Sequence, residues 1–336
     1  MPSMYTALPL AIQTAYQDLL DRHRRKPTVS IEGSLIQTER AGQKYWVARH
    51  RNGGRVREAH IGPDNPEVVR RIHKAQAEQK LLEAWRSDTA SLVAQLRAAR
   101  ANTLDMQTGK IIAALARVGF FRAGGVLAGT HAFALYELEL GVRFNGVIAR
   151  TEDVDLLAAS SINVVADGVR GLPALLEDLN LKPIVSVGDA HPHRWASGDG
   201  TPIDILTPLK RGGHSIVELK GLGLHAQALP YLQFAIAETI EAVGLYREGI
   251  LVRVPAPQRY AVHKLIVASE RTGSFRAKSA KDLEQSEALI SVMAEQRPFE
   301  LRSAYNEAIG YGPKWRKAIA RSLERAPRIV EALSQL

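Results

Sequence analysis

Apolar side chains recur along this chain in two rhythms, and the rhythms divide it into elements. Ile12, Ala15, Tyr16, Leu19 and Leu20 fall three or four positions apart, which predicts an amphipathic helix over about residues 9–23. The run Arg22-His23-Arg24-Arg25-Lys26-Pro27 ends it. Alternation follows. Leu35 to Thr38, Lys44 to Arg49 and Arg55 to Ile61 read as three strands, and Asn52-Gly53-Gly54 as a hairpin turn, because Asn and Gly accept positive φ. Helical spacing returns at Asn65-Pro66-Glu67, a cap residue followed by proline at the first helical position. It continues through Val69, Ile72, Ala75, Leu82, Trp85, Leu92 and Leu96, with Ser87-Asp88-Thr89 as a candidate break.

Beyond residue 104 helices and strands mix. Met106 to Val118 and Thr130 to Leu140 predict helices on either side of a short buried strand, Val126-Leu127-Ala128. Asp153 to Ala158 and Pro183 to Val187 predict strands flanking a helix over Leu172 to Leu179. His191 to Trp195 and Pro202 to Leu206 predict antiparallel neighbours across Ser197-Gly198-Asp199-Gly200. After Pro230 the pattern is helical, except for a strand from Gly249 to Pro255. The expected fold is α/β (α+β): a mixed sheet with flanking helices, a helical C-terminal domain and a small basic β-sheet module at the N-terminus. The expected division is 1–64 for the basic helix and sheet module and 65–103 for the connecting helix or helices. A central α/β domain takes 104–215, and a mainly helical domain takes 216–336.

Composition narrows the chemistry. The chain has no cysteine, which excludes disulfides, thiolate metal sites and cysteine nucleophiles. No apolar run approaches the roughly 20 residues that span a bilayer, so no membrane partner is expected. No signal-peptide pattern opens the chain, and the expected location is the cytoplasm. The net charge of +9 is uneven. Residues 1–103 hold 17 Lys/Arg against 10 Asp/Glu, whereas residues 104–336 hold 27 against 25. A basic first third points to a polyanion partner, most simply nucleic acid. Arg49, Arg51, Arg55 and Arg57, interleaved with Tyr45 and Trp46, are the candidate contacts there. The same aromatic face serves equally well as a packing surface.

The sharpest chemical signal lies in the middle. Gly129-Thr130 ends a strand and opens a helix, where free N–H groups and the helix dipole favour an anion. About twenty residues later, Arg150-Thr151-Glu152-Asp153-Val154-Asp155-Leu156 places two aspartates at i and i+2 on a strand, facing the same way. Like charges held that close call for solvent or a cation between them. Asp204 lies in the apolar strand Pro202-Ile203-Asp204-Ile205-Leu206, where an acid is costly unless it is paired or metal-bound. Weaker signals are His131 beside Thr130, the His191-Pro192-His193 pair, and the basic run Lys314-Trp315-Arg316-Lys317, which is more simply a solvated face.

Together, the strand–Gly-Thr–helix turn, the Asp-Val-Asp stretch and the later strand aspartate resemble the nucleotidyltransferase superfamily, whose fold is that of DNA polymerase β. The long gap from turn to acid pair, and the Arg-Thr before it, are closer to AbiEii-type nucleotidyltransferases, many of them toxins of toxin–antitoxin pairs. Val252 to Leu265 resembles a largely uncharacterised bacterial nucleotidyltransferase-fold family. The resemblance covers about residues 105–300 and makes 104–215 the catalytic domain. It implies that Gly129 and Thr130 hold nucleotide phosphates, and that Asp153, Asp155 and Asp204 are catalytic and ligate two Mg²⁺ ions, with Mn²⁺ as a substitute. Asp204 would also help to deprotonate the acceptor hydroxyl. Lys264, Arg271 and Lys278 become candidate phosphate contacts, and Lys281-Asp282 resembles the Lys-Asp element of AbiEii-type proteins. Two departures stand out. Gly-Thr replaces the usual Gly-Ser, and an inserted loop at 141–150 lengthens the turn-to-acid spacing.

The expected activity is therefore metal-dependent transfer of an NMP from an NTP to an acceptor, RNA being favoured, with release of pyrophosphate. One alternative is a toxin or phage-defence effector with the same chemistry and an antitoxin-like protein partner. Another is a non-catalytic nucleic-acid-binding protein on this fold, and a small-molecule acceptor also fits.

Overall fold

The computed structural model describes residues 4–52, 55–146, 154–158, 171–185, 191–198, 200–271, 273 and 276–336. β1 (Tyr5–Ala7) and α1 (Leu10–Arg24) open the chain. β2 (Ser34–Arg40), β3 (Gln43–Asn52) and β4 (Arg55–Pro63) then form an antiparallel sheet in that order. This is the small sheet that the alternation predicts. Most of its side chains are exposed, with Val47 and Ala48 its buried pair.

α2 (Pro66–Ala98) is one helix. The Asn65 side chain caps it by accepting from the Val68 N–H at 2.9 Å. Of the two readings, one helix or two, the structure shows one, unbroken at Ser87-Asp88-Thr89. The Thr89 hydroxyl donates to the Trp85 carbonyl at 2.7 Å, and Asp88 accepts from Arg22 at 2.8 Å. Polar groups that would otherwise compete for the backbone are thus satisfied with the helix intact. The far end of α2 packs Val93 and Leu96 against Tyr16, Leu19 and Leu20 of α1.

The central region follows: α3 (Met106–Arg117), β5 (Val126–Leu127), α4 (Gly129–Glu139), β6 (Val142–Phe144), β7 (Val154–Leu157) and α5 (Gly171–Asp178). Next come β8 (Lys182–Ile184), β9 (Arg194–Ala196), β10 (Pro202–Pro208), β11 (Ile216–Leu219) and β12 (Leu224–Leu229). Among the described residues these build a seven-stranded mixed sheet along the path β11-β12-β10-β7-β5, with β9 antiparallel to β10 and β8 paired to β9. β10 runs parallel to β7 and β12, and β5 antiparallel to β7. The loop read as an insertion contributes β6, which pairs with β1.

The remainder is α6 (Leu232–Ile236), β13 (Thr239–Gly244), β14 (Ile250–Pro255), α7 (Pro257–Glu270), α8 (Arg276–Gln296), α9 (Pro298–Gly310), α10 (Pro313–Leu323) and α11 (Pro327–Ser334). β13 is a departure from the sequence reading, which places a single strand here. It pairs antiparallel with β14 and buries Ala242 and Val243. One apolar core runs from Ile111 through Leu156 and Ile205 to Leu265 and Ile329. No helix among the described residues is long and apolar enough to cross a membrane.

Candidate active site

The site begins with alternation in two strands. Val154 and Leu156 of β7 and Ile203 and Ile205 of β10 are fully buried. Each such side chain contributes about 1.5–3 kcal/mol when taken out of water. A slip of one residue would drive an aspartate into the core, so burial fixes the register. In that register Asp155 and Asp204 are direct partners on neighbouring parallel strands. Their carboxylates therefore project side by side from one face of the sheet.

β5 delivers the third component. Ala128 donates its N–H to the Asp155 carbonyl at 2.9 Å, and the chain then turns into α4. Gly129 adopts φ +59°, and a Cβ on it would lie 1.9 Å from Asp155 Oδ2. Only glycine fits there, on conformational and on steric grounds. The N-cap residue Ala128 has no side-chain acceptor to cap the helix, and a helix start of this kind favours an anion, with buried Thr130 beside it.

Arg194 completes the row. It faces Asp204 across the β9–β10 pair, and its guanidinium grips both carboxylate oxygens, Nη2 to Oδ2 at 2.6 Å. Arg194 was not among the residues expected at the site. The hairpin was legible but its register was not: a loop at 197–200 would set position 194 opposite 203, whereas Ser197 donates its N–H to the Thr201 carbonyl at 3.0 Å and position 194 faces 204.

α7 and α8 form the opposite wall. The Tyr260 hydroxyl lies 2.9 Å from the Gly129 carbonyl and 3.0 Å from Gln285 Oε1. Burial raises its pKa well above the ordinary value, with Tyr136, Asp282 and Asp155 adding to the effect, so it stays a donor. Lys264 Nζ stands 5.4 Å from the Tyr260 ring centre. It also pairs with Asp282 at 2.6 Å, and Arg271 pairs with the other oxygen of Asp282 at 2.7 Å. Burial pushes the Asp282 carboxyl up, but the two cations outweigh it and hold it below its ordinary value. The expected phosphate contacts Lys264 and Arg271 are thus brought together and oriented by one buried carboxylate. Neighbouring His263 is driven down to about 3, chiefly by burial and then by Lys264, and is neutral.

The remaining candidates are placed as follows. Lys278 is exposed on α8, in the first turn after Arg276. Asp153 lies outside the described residues, as does Glu152. Arg49 is tied to its cross-strand partner Glu58 at 2.7 Å, and Arg57 is exposed opposite His50. Arg51 and Arg55 sit toward the hairpin end of the same ladder. His191 stacks on His225 with ring centres 3.9 Å apart. Among the described residues no three His, Asp or Glu side chains gather in a metal-binding group. The donors that do meet, Asp155 and Asp204, are hard carboxylate oxygens of the kind Mg²⁺ and Mn²⁺ prefer. Asp155 stands in a cradle that any Cβ at position 129 would fill, so the pair suits such an ion.

Comparison with known proteins agrees with this geometry. The profile of a family described as nucleotidyltransferase matches residues 106–310, more than half of the chain. Among curated proteins there is no match. A crystal structure of an antigenic nucleotidyltransferase-like protein from Paracoccidioides brasiliensis is similar at 16% identity, covering 68% of this chain and 92% of that one. The TM-score of that pair is 0.37. From the profile match, the chain belongs to the nucleotidyltransferase family.

Proposed function

We propose that the protein is a metal-dependent nucleotidyltransferase that moves an NMP from an NTP to a hydroxyl of RNA. The carrying observation is the in-register pair Asp155 and Asp204 beside the Gly129 turn. Asp153, two residues before Asp155, is proposed as the third carboxylate. When bound, divalent ions there would supply charge neutralisation at the transferring phosphoryl group and a more acidic acceptor hydroxyl.

The chain's own groups then have separate tasks. The N–H groups of the first turn of α4, with Thr130, hold phosphate oxygens. Lys264, Arg271 and Lys278 approach from the helical side and balance the triphosphate charge. The acceptor oxygen attacks the α-phosphorus, forming one P–O bond while the bond to the β-phosphate oxygen breaks. Pyrophosphate leaves, and the acceptor proton passes to Asp204. Arg194 occupies both oxygens of Asp204, so it has to withdraw before Asp204 can bind an ion or a proton.

That pairing also favours a second reading, a binding protein on this fold in which Arg194 permanently replaces the ion. One experiment separates the two. Incubation with each labelled NTP, Mg²⁺ and total RNA is expected to give a labelled RNA band that Asp155→Ala and Asp204→Ala abolish. Unchanged incorporation in both variants would refute the mechanism. Absence of any Mg²⁺–NTP heat in calorimetry would favour the binding protein.

A further inference from the structure

The candidate site leaves one strongly charged surface unused. Residues 313–325, α10 and the two positions after it, carry five Lys/Arg and one acid. Lys314, Lys317, Arg321 and Arg325 are spaced three, four and four positions apart, so they line one side of the helix. All four are exposed, while Ala318, Ile319 and Ser322 anchor the helix. The stripe is roughly 16 Å long at 1.5 Å per residue.

Its two ends differ. At one end Trp315 stacks on Tyr311, with ring centres 4.5 Å apart and planes at 19°. Tyr231 and Phe234 prop Trp315 edge-on from behind, at 4.8 and 5.7 Å. Tyr311 itself is 53% exposed, and Lys314 lies 5.5 Å from the Tyr231 ring centre. At the other end Arg321 pairs at 2.6 Å with Glu270, the residue before Arg271. Arg325 donates to the Ser279 hydroxyl at 3.1 Å, next to Lys278. The stripe therefore joins a braced aromatic stack to the proposed phosphate cations. Lys317 makes no ion pair among the described residues.

We infer that this stripe seats the single-stranded end of an RNA acceptor. An unpaired base stacks on Tyr311, and the backbone runs over Lys314 and Lys317 toward Arg271. Stacking on an aromatic platform requires bases free of a duplex, and a row of cations tracks phosphates without reading sequence. A lipid surface is disfavoured because α10 exposes no large aliphatic side chain. The inference rests on the transferase reading for its purpose, but not for its measurement.

The test is fluorescence anisotropy of the full chain with a labelled 12-nucleotide single-stranded RNA, without NTP or metal, across a salt series. Lys314→Ala/Lys317→Ala is expected to weaken binding about tenfold near 0.1 M salt. It should also flatten the log–log salt slope by about 1.4, which is two single-strand phosphate contacts. Tyr311→Ala is expected to weaken binding about tenfold with the slope unchanged. A blunt duplex of equal length should bind less tightly and ignore Tyr311→Ala. All three positions are exposed, so circular dichroism and melting should match the wild type. Wild-type binding by either variant, or a duplex bound as tightly as the single strand, overturns the inference. RNA binding with these dependences but no nucleotide transfer would sink the transferase reading alone.

Discussion

Two sheets in this protein carry charged residues on their strands, and they treat charge in opposite ways. In the seven-stranded sheet, Asp155 and Asp204 alternate with fully buried Val154, Leu156, Ile203 and Ile205, so their position is dictated by the core beneath them. Behind them Lys264 and Arg271 share Asp282, which is 3% exposed, while Arg194 grips Asp204 from the surface. In the sheet of β2, β3 and β4 little is buried, and Arg49 and Glu58 pair at the surface. Desolvated charges are positioned by the fold and costly to disturb. Solvated ones are cheap, replaceable and available to a polyanion.

The contrast can be broken at several points, and the largest effect is expected at Asp282. Its side chain is 3% exposed, so Asp282→Asn leaves two cations facing a neutral amide. A loss of about 3 kcal/mol is expected in urea unfolding. Because the folded carboxyl titrates below its ordinary value, its stabilisation is present at neutral pH and fades as pH falls through that lowered value. The melting gap between wild type and variant should therefore close in acid. A gap that persists there would contradict the assignment.

Gly129→Ala comes next. The new methyl meets Asp155 Oδ2 at a backbone angle that alanine resists. A cost of about 1–3 kcal/mol is expected, with roughly a hundredfold loss of transfer from the displaced carboxylate. Wild-type turnover in this variant would mean that the turn does not position the acid.

Arg194→Gln probes the occupied carboxylate. Removal of a competing guanidinium should tighten Mn²⁺ binding, read by electron paramagnetic resonance, by about tenfold. Weaker binding would show that Arg194 supports the ion rather than excluding it. The smallest effect belongs to the other sheet. Arg49→Ala should cost under about 1 kcal/mol and shift the melting point by about 2 °C or less. A larger shift would mean that the small sheet is structurally tied to the rest.

How far the sequence disclosed this arrangement depended on the distance over which each contact acts. The Gly129 turn, Asp155 and Asp204 were legible because strand period and local turn chemistry place them. Arg194 required only the register of one hairpin. Asp282 was visible as part of a Lys-Asp pair, yet its task of holding Lys264 and Arg271 arises from the packing of α7 on α8. β13 escaped because Ile240, Ala242 and Val243 form strand only through pairing with β14. The expected domain boundaries at 64, 103 and 215 stand as a proposal. A limited-proteolysis pattern would test them.

α2 gives the molecule a scale. At 1.5 Å per residue its 33 residues measure roughly 50 Å. Val68, near one end, packs under Gly62 of the small sheet, while Leu96, near the other, belongs to the cluster that includes Leu138 of α4. The helix thus spans the distance from the small sheet at one end to the apolar cluster that includes α4 at the other.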